Sequence, residues 1–529
     1  MKDRGKTNAM KTVLAPFATH NSNHHGTLIG FPDADAPITL AINFKPKLLE
    51  PEILEELNNL ISDFPSEREY LSPADLKELK GIEAEFREEL STYFSEAGLT
   101  PDFNSQAGHS LILSATVEQI EEALHTTIGT FISSTGHHYI DTLSHLWLPE
   151  TFVSSITNIS GLGVSSKNEY RIPTKPQKGS NEEWDKGYSL KEIREAYKFP
   201  QQTGKGQSIG IIELGGHFKK SDIDQYCKHH GIKKPKISIV GKATHSQDAM
   251  ADGEVTMDIQ IIKALAPDAK IVIYYADTIL EAMKLVVNDT EHCPSVVSIS
   301  WAAPEHYYHN SQIQELDQIF YEASLLGITI VASSGDNGAF NLGYSPSVNI
   351  PASHPYVIGC GGTTALIEEG EIKKEIVWNE LNGNQSSGGG FSQYYHLPEF
   401  QIQINDFYTH SSNTKRGVPD VSALASVVDG YQIIFKGQKM VIGGTSASAP
   451  LWAALIAVLN ECLGYRLGFC NTLLYSCSGR SVFNEITDGH NQLYKSGKIW
   501  NAATGLGSPN GEKLLEMIHK IENEEKENN

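Results

Sequence analysis

The sequence predicts an α/β protein with a doubly wound parallel sheet, preceded by a smaller α+β domain. Its 529 residues exceed what one hydrophobic core usually supports, so two or more domains are expected. In the second part of the chain, four apolar strands lack polar–apolar alternation, so both faces of their sheet should be covered. These strands are expected at 209–212, 271–274, 296–299 and 328–331. Helical stretches separate them, as in βαβ units, at 252–265, 278–288 and 311–326.

The composition argues against several classes of function. A formal net charge of −22 disfavours nucleic acid or an anionic membrane surface as a partner. No apolar run reaches the roughly 18 residues of a membrane span, and no apolar signal core is visible near the N-terminus. The six cysteines are too few and too scattered for a disulfide scaffold, although Cys470 and Cys477 could pair. No Cys-x-x-Cys zinc pattern is present.

The N-terminal third is expected to hold an arm, a small domain and a linker. Residues 1–36 show no strong periodicity and predict an irregular arm. Residues 37–163 predict one sheet with helices on a face, with strands at 38–44, 111–115 and 127–133. Residues 164–187 have the polar, proline-rich composition of a linker, which is also where a protease cuts. Residues 188–529 then form the second domain.

A small-residue motif, Gly443 to Pro450, precedes a strongly apolar run in the second domain. It reads Gly-Gly-Thr-Ser-Ala-Ser-Ala-Pro, so small hydroxyl residues stand where a helix should begin. The helix that follows is apolar on nearly every side and is therefore expected to be buried. Ser446 is either the cap of a core helix or a nucleophile beside free backbone N–H groups. The motif alone favours neither interpretation.

Carboxylates form the second candidate group. Glu254 and Asp258 are four residues apart and share one face of a predicted helix. They are either solvated surface or a buried pair that shares a proton. Asp336 follows a buried strand in a glycine-bracketed loop, as a turn residue or a site residue. Glu213 and Trp301 also stand at the carboxyl ends of predicted strands, the edge where active sites of such sheets form.

Together these motifs resemble the sedolisins, or serine-carboxyl peptidases, of the kumamolisin-like type. The resemblance rests on the order Glu254, Asp258, then Ser-Gly-Asp at 334–336, then Gly-Thr-Ser at 444–446, and covers nearly the whole chain. It implies a subtilisin-like catalytic domain at 188–529. It also implies that residues 37–163 are a ferredoxin-like pro-domain that inhibits the enzyme until it is removed.

The resemblance assigns a role to each candidate residue. It implies that Ser446 is the nucleophile, Glu254 the general base, Asp258 its orienter, and Asp336 the oxyanion donor, with Glu213 and Trp301 extending the network. Ser448 is the rival nucleophile, but the family pattern places it past Ala447. A carboxylate base works best near its own pKa, and Asp336 can donate a hydrogen bond only when protonated. Both requirements point to an acid peptidase.

The family's calcium site is matched only in part. The resemblance implies ligands at Glu485, Ile486, Gly497, Ile499 and Asn501, but Glu and Asn stand where the family has Asp. Asn lacks the charge of Asp, although its carbonyl oxygen can still coordinate calcium. One calcium ion therefore stays an expectation with a weakened ligand set.

The expected function is an acid endopeptidase that is made as a zymogen and cleaves its own linker. Its expected partners are peptide and protein substrates and its own pro-domain, with no nucleic acid and no membrane, and a monomeric state. The family implies an extracellular location. Two alternatives stay open, a tripeptidyl-peptidase on the same fold and a catalytically silent homologue that only binds peptides.

Overall fold

The computed structural model describes residues 14–17, 26–45, 51–62, 64–103, 110–133, 138–162, 177–178, 186–242, 249–308, 310–341, 343–380, 385–402, 404 and 414–528. Contacts divide the chain into two compact units. The first unit comprises residues 1–56 and 77–166, and the second comprises residues 57–76 and 167–529. Most of the linker expected at 164–187 lies outside the described residues.

The first unit is built on a four-stranded antiparallel sheet. Its strands follow the order Pro101–Asp102, Ser110–Thr116, Pro37–Phe44 and Ile156–Ser160. The helices of this region are Pro51–Ser62, Pro73–Lys80, Ala84–Glu96, Val117–Ala123 and Glu150–Val153. Apolar side chains of alternate strand positions and of the last three of these helices form one core, as the α+β pattern predicted.

The expectation of an irregular arm and of a single sheet was wrong in part. Leu14–Phe17 pairs with Leu146–Pro149, and Gly26–Gly30 joins a three-stranded sheet with Ile128–Ser133 and His138–Thr142. These N-terminal strands have only four and five residues and carry little buried surface. They are extended because of partners more than 100 residues away, which local periodicity does not report.

The second unit contains the predicted parallel sheet, which has eight strands. Their order is Ile237–Gly241, Lys270–Tyr275, Ser208–Glu213, Val296–Ile299, Thr329–Ser333 and Ile358–Glu368, followed by Val421–Leu424 and Glu371–Val377 along different parts of the last strand. The central strands are buried at every residue, which explains their lack of alternation. Glu371–Val377 is antiparallel, so the sheet is parallel except at one edge.

Helices connect and cover this sheet. They are Leu190–Ala196, Lys220–His229, Ala249–Leu265, Ile279–Val287, Asn310–Leu325, Glu399–Ile402, Thr445–Leu463, Asn471–Ser476 and Gly511–Asn528. Short antiparallel pairs complete the unit: Gln177–Lys178 and Tyr431–Phe435 on either side of Gln438–Ile442, Ala303–Pro304 with Asn349–Ile350, Asn379–Glu380 with Gln385–Ser386, Gly390–His396 with Lys415–Val418, and Phe483–Asn484 with Ser508–Pro509.

Two helices position the candidate site. We call Ala249–Leu265 the acid helix and Thr445–Leu463 the serine helix, and the two pack against each other. The serine helix is long and apolar enough to cross a membrane, but 83% of its apolar stretch is buried inside the fold. It is thus the core helix that its composition predicted. All six cysteines are free thiols, so Cys470 and Cys477 do not pair here.

Candidate active site

The start of the serine helix is defined by a side chain from another element. The helix begins at Thr445, with Gly444 as its N-cap at φ +99°, so Pro450 lies inside it rather than before it. The N-cap glycine has no side chain to bond the free N–H groups. Instead Asp336 Oδ1 accepts hydrogen bonds from the backbone N–H and the hydroxyl of Thr445, both at 2.8 Å. Asp336 therefore caps the helix that carries Ser446.

Ser446 lies next to the end of a sheet strand. Its hydroxyl donates to the carbonyl oxygen of Ser300 at 3.3 Å. In return, the Ser300 hydroxyl lies 3.1 Å from the Ser446 carbonyl oxygen and donates to Asp258 Oδ2 at 2.8 Å. Ser300 directly follows the strand Val296–Ile299. This strand end thus joins the serine helix to the acid helix.

Three carboxylic acids are buried together at the acid helix. Glu213, Glu254 and Asp258 expose 0%, 4% and 0% of their surface, which excludes the solvated-surface interpretation of the Glu254–Asp258 pair. Burial raises the pKa of Asp258 well above its usual value, and the charges of Glu213 and Glu254 raise it further. The hydrogen bond from Ser300 acts in the opposite direction. The group is therefore expected to hold shared protons.

Trp301 extends this cluster. Its indole Nε1 donates to Glu213 Oε2 at 3.0 Å, and both residues are buried. Glu213 ends the strand Ser208–Glu213, and Trp301 lies just beyond the neighbouring strand. This hydrogen bond joins the ends of two neighbouring strands.

Asp336 is the carboxyl bonded to Thr445, the residue before Ser446. Burial raises its pKa from 3.8 to about 6, against the two hydrogen bonds from Thr445, which lower it. Among the described residues, its Oδ2 atom has no hydrogen-bond partner, while Oδ1 is used by the helix cap. A protonated Oδ2 can therefore act as a donor without disturbing the cap.

Ser448 has a different environment from Ser446. Its hydroxyl is fully buried and lies within hydrogen-bond distance of the carbonyl oxygens of Ala423 and Leu424, at 3.1 and 3.2 Å. No carboxylate appears among these contacts. The rival serine is therefore a packed core residue, tied to the strand Val421–Leu424.

The residues of the expected calcium site do not fit a calcium ion. Asn501 Oδ1 accepts from the N–H groups of Ala503 and Thr504 at 3.0 and 2.9 Å, and from the Thr504 hydroxyl at 3.1 Å. These donors identify Oδ1, so the amide nitrogen faces the Gly497 carbonyl oxygen, to which it donates at 3.3 Å. Both atoms that would ligate calcium are thus occupied by hydrogen bonds.

The remaining expected ligands do not compensate for this loss. Glu485 is exposed, and no group of three His, Cys, Asp or Glu side chains suited to a metal is found in the described part of the chain. Ile486 is buried, and Ile499 has the positive φ of +66°, a conformation that glycine adopts without strain. Calcium binding stays a prediction that the donor set does not support.

Two residues of the site escaped the sequence reasoning. The sequence assigned no catalytic or positioning role to Ser300 or Thr445, yet they connect Asp258, Ser446 and Asp336. Their position next to Trp301 and Ser446 was the available signal. Hydroxyl side chains are too common at strand and helix ends for that signal to have been decisive.

Comparisons with known proteins identify relatives of both parts of the chain. A family model described as the Pro-kumamolisin activation domain matches residues 25–164, and the Subtilase family model matches residues 219–465. Kumamolisin of Bacillus sp. (strain MN-32) is 34% identical over 453 residues, covering 80% of this chain and 82% of that protein. Tripeptidyl-peptidase 1 of Mus musculus is 26% identical over 545 residues, covering 93% of each.

A solved structure is also similar. It is Pseudomonas sedolisin, a serine-carboxyl proteinase complexed with two molecules of pseudo-iodotyrostatin. The TM-score is 0.57 at 28% identity, and the match covers 63% of this chain and 98% of that one. The uncovered part of this chain corresponds in size to its N-terminal region.

Proposed function

Because the chain belongs to the sedolisin family of serine-carboxyl peptidases, we propose that it is an acid-active endopeptidase that removes its own N-terminal region. The family supplies the serine peptidase class and the pro-domain. One observation carries the residue assignment: Ser300 links Ser446 to Asp258 of the buried carboxyl cluster, and Asp336 bonds to Thr445, the residue before Ser446. We take Glu254, Asp258, Ser446 and Asp336 as its catalytic group, with Glu213 and Trp301 as support.

In the proposed reaction, Glu254 takes the proton of the Ser446 hydroxyl as Oγ attacks the scissile carbonyl carbon. The hydroxyl must first turn away from the Ser300 carbonyl oxygen, to which it now donates. Glu254 then gives the proton to the leaving amine, and the acyl-enzyme forms. Water then attacks the acyl carbon, Glu254 takes a proton from the water, and Ser446 Oγ regains a proton as the acid product leaves. Asp258, held by Ser300, keeps Glu254 in place.

The oxyanion of the tetrahedral intermediate would be bound by two donors. One is the backbone N–H of Ser446, in the first helical turn, where N–H groups have no intrahelical acceptor. The other is the protonated Oδ2 of Asp336. Because the pKa of Asp336 is about 6, this donor is present below about pH 6 and disappears above it. This sets the alkaline limit of the proposed activity.

The acid window also supports an extracellular or otherwise acidic place of action, which we propose on that ground alone.

A first experiment tests self-processing. Purified wild-type chain and Ser446→Ala are brought to about pH 4 and followed by gel electrophoresis and mass spectrometry. The wild type should lose its N-terminal region by cleavage between residues 164 and 187, and Ser446→Ala should stay intact. Identical behaviour of the two would contradict the proposal.

Ser448→Ala is the matched control for the nucleophile. Both serines lie in the first turn of the same helix, so loss of a hydroxyl costs similar packing. A peptide aldehyde should label the wild type and Ser448→Ala at the active site, and Ser446→Ala should not be labelled. A wild type that the aldehyde does not label, and that hydrolyses no denatured protein, would indicate the silent homologue.

The second candidate activity is removal of tripeptides from a free N-terminus. It is favoured by the similarity to tripeptidyl-peptidase 1 over most of both chains. Mass spectrometry of an N-acetylated, denatured protein after digestion separates the two. Internal cleavage of the blocked substrate supports the endopeptidase, and cleavage only after deblocking, in steps of three residues, supports the exopeptidase.

A further inference from the structure

One short segment of the N-terminal region groups with the peptidase rather than with the first unit. We call Phe64–Leu71 the anchor segment; it belongs to the second unit by its contacts, although the activation-domain model spans it. We propose that the anchor segment docks the pro-domain in a slot remote from Ser446, and that it keeps the pro-domain bound after the linker is cut. The slot comprises Leu325, Gly327, Arg466, Leu467, Gly468 and Phe469. The proposal rests on the proposed zymogen function.

Arg68 provides the polar part of this contact. Its side chain is 8% exposed, and its Nη1 atom donates to the carbonyl oxygens of Leu467 and Phe469 at 3.1 and 2.6 Å. These carbonyl groups lie in the turn after the serine helix, whose C-terminal end carries negative partial charge. A planar guanidinium matches such a cluster of acceptors better than an ammonium group does.

Tyr70 provides the packed part. Its hydroxyl donates to the carbonyl oxygen of Arg466 at 3.2 Å, and its ring lies against two glycines. A Cβ on Gly327 would come within 2.5 Å of the ring, and a Cβ on Gly468 within 2.4 Å of the hydroxyl oxygen. The slot is therefore shaped by glycine on both sides of this one tyrosine.

Two further hydrogen bonds flank these side chains. The backbone N–H of Leu71 donates to the Leu325 carbonyl oxygen at 2.9 Å. Just before the segment, the Tyr321 hydroxyl donates to Asn58 Oδ1 at 3.1 Å. The Tyr321 hydroxyl and the Leu325 carbonyl group both belong to the last two turns of the helix Asn310–Leu325. The segment thus binds two helix ends of the peptidase at once.

The slot is far from the catalytic serine. Ser446 lies at the first turn of the serine helix and the slot follows its last turn, so the two are about 25 Å apart at 1.5 Å per residue. The anchor segment therefore does not occupy the catalytic centre. A second attachment of this kind raises the effective concentration of the pro-domain, so cleavage of the linker alone does not release it.

The test uses the full chain carrying Ser446→Ala, with the recognition sequence of an added, site-specific protease placed in the linker. After the added protease cuts the linker, size-exclusion chromatography and a binding titration follow the two fragments. The fragments should co-elute. Arg68→Ala should weaken their association about 10- to 100-fold, as expected for loss of hydrogen bonds from a buried charged group. Arg87→Ala is the control, since Arg87 donates to the Phe103 carbonyl oxygen within the first unit.

A second pair of variants tests the slot from the enzyme side. Gly468 and Gly464 both have positive φ, +55° and +79°, so alanine strains the backbone at each. Only at Gly468 does the new methyl group meet Tyr70, whereas Gly464 has open space. Gly468→Ala should therefore release the pro-domain and Gly464→Ala should retain it. If Arg68→Ala does not fold, the comparison of these two glycine variants still tests whether the anchor segment docks in the slot.

Equal affinity of Arg68→Ala and Arg87→Ala, together with equal affinity of the two glycine variants, would overturn the anchor. Because an added protease cuts the linker, this result is independent of peptidase activity. Failure of self-processing would show only in wild-type chain at acid pH, so the two proposals fail separately.

Discussion

The Ser300 hydroxyl donates to Asp258 Oδ2 at 2.8 Å and also lies 3.1 Å from the Ser446 carbonyl oxygen. One side chain at a strand end therefore contacts both the acid helix and the serine helix. A displacement of either helix would therefore change a hydrogen bond of Ser300. Ser300 is a positioning residue, and its removal should affect the chemistry without removing a reacting group.

Ser300→Ala should lower kcat/KM about 10- to 100-fold, the range for a hydrogen bond to a charged group. It should also raise the pKa of Asp258 further, because the lost hydrogen bond favoured the ionised form. The measurement is a pH profile of kcat/KM. Ser298→Ala is the control, because among the described residues the buried Ser298 hydroxyl has no hydrogen-bond partner. Equal profiles for both variants would contradict this role.

Glu213→Gln should move the same profile in the opposite direction. The charge of Glu213 raises the pKa of Asp258, so a neutral amide at this position should lower it. Because the carboxyls titrate as a coupled group, this change should appear as lower apparent pKa values in the profile of Glu213→Gln than in that of the wild type. An unchanged profile, with folding intact by circular dichroism, would mean that the two carboxyls do not interact as described.

Asp336→Asn should retain activity and extend it to higher pH. The amide oxygen can still accept from Thr445, and the amide N–H₂ can donate to the oxyanion without being protonated by the solvent. Asp336→Ala removes the donor and the cap, and should lose about 10²- to 10³-fold in kcat at every pH. If Asp336→Asn is as inactive as Asp336→Ala even at pH 7, Asp336 does not act as the oxyanion donor.

The same carboxyl makes stability depend on pH. Its pKa in the folded protein is raised from 3.8 to about 6, so its contribution is fully present below about pH 4 and is lost as pH rises through about 6. The loss in unfolding free energy is about 3 kcal/mol by linkage. Between pH 4 and pH 7 the loss is about 2 kcal/mol, because at pH 4 the carboxyl of the unfolded chain is already partly ionised. Urea denaturation at these two pH values should show a difference that is smaller by this amount in Asp336→Asn. An identical difference in both proteins would contradict the raised pKa.

Removal of calcium should leave the unfolding temperature unchanged, because Asn501 occupies the donor positions with its own hydrogen bonds. Asn501→Asp removes the amide that covers the Gly497 carbonyl oxygen and adds a charge. For a weak site with a Kd of about 1 mM, 10 mM calcium should then raise the unfolding temperature by about 2–4 °C.

Asn491→Asp provides the matched control for this experiment. Asn491 is buried in the same loop region and donates to the Ala502 carbonyl oxygen at 3.2 Å, but it is not among the expected ligands. It should show no response to calcium. A wild-type protein whose unfolding temperature falls in chelator would restore the calcium site that the family pattern implies.

The sequence predicted most elements of the second unit because its strands are buried on both faces. Val296–Ile299 was predicted to the residue, and the acid helix within three residues at its start. The antiparallel edge strand Glu371–Val377 was missed because four of its seven residues are charged and only Val377 is buried. The serine helix begins at the small hydroxyl residues, as expected, but its cap comes from Asp336, 109 residues away, which the sequence did not indicate.

For the site, spacing on one helix was enough to place Glu254 beside Asp258. Hydrogen bonds between distant elements could not be predicted from the sequence. An example is the bond from Ser300 to Asp258, which lie 42 residues apart. The hydrogen bonds of Asn501 were equally hidden, because an asparagine at that position can either coordinate a metal or close a turn. Only the surrounding donors decide between these roles.

The burial of the serine helix has a consequence for heat inactivation. Every residue from Thr445 to Asn460 is buried, whereas many enzymes carry their reactive groups on the least stable segments of the fold. Ser446 cannot be displaced without opening the interior around it. Activity should therefore survive moderate warming unchanged and then fall in step with the melting of the whole second unit. After a heat pulse, residual activity should report directly the fraction of molecules that have kept a folded interior.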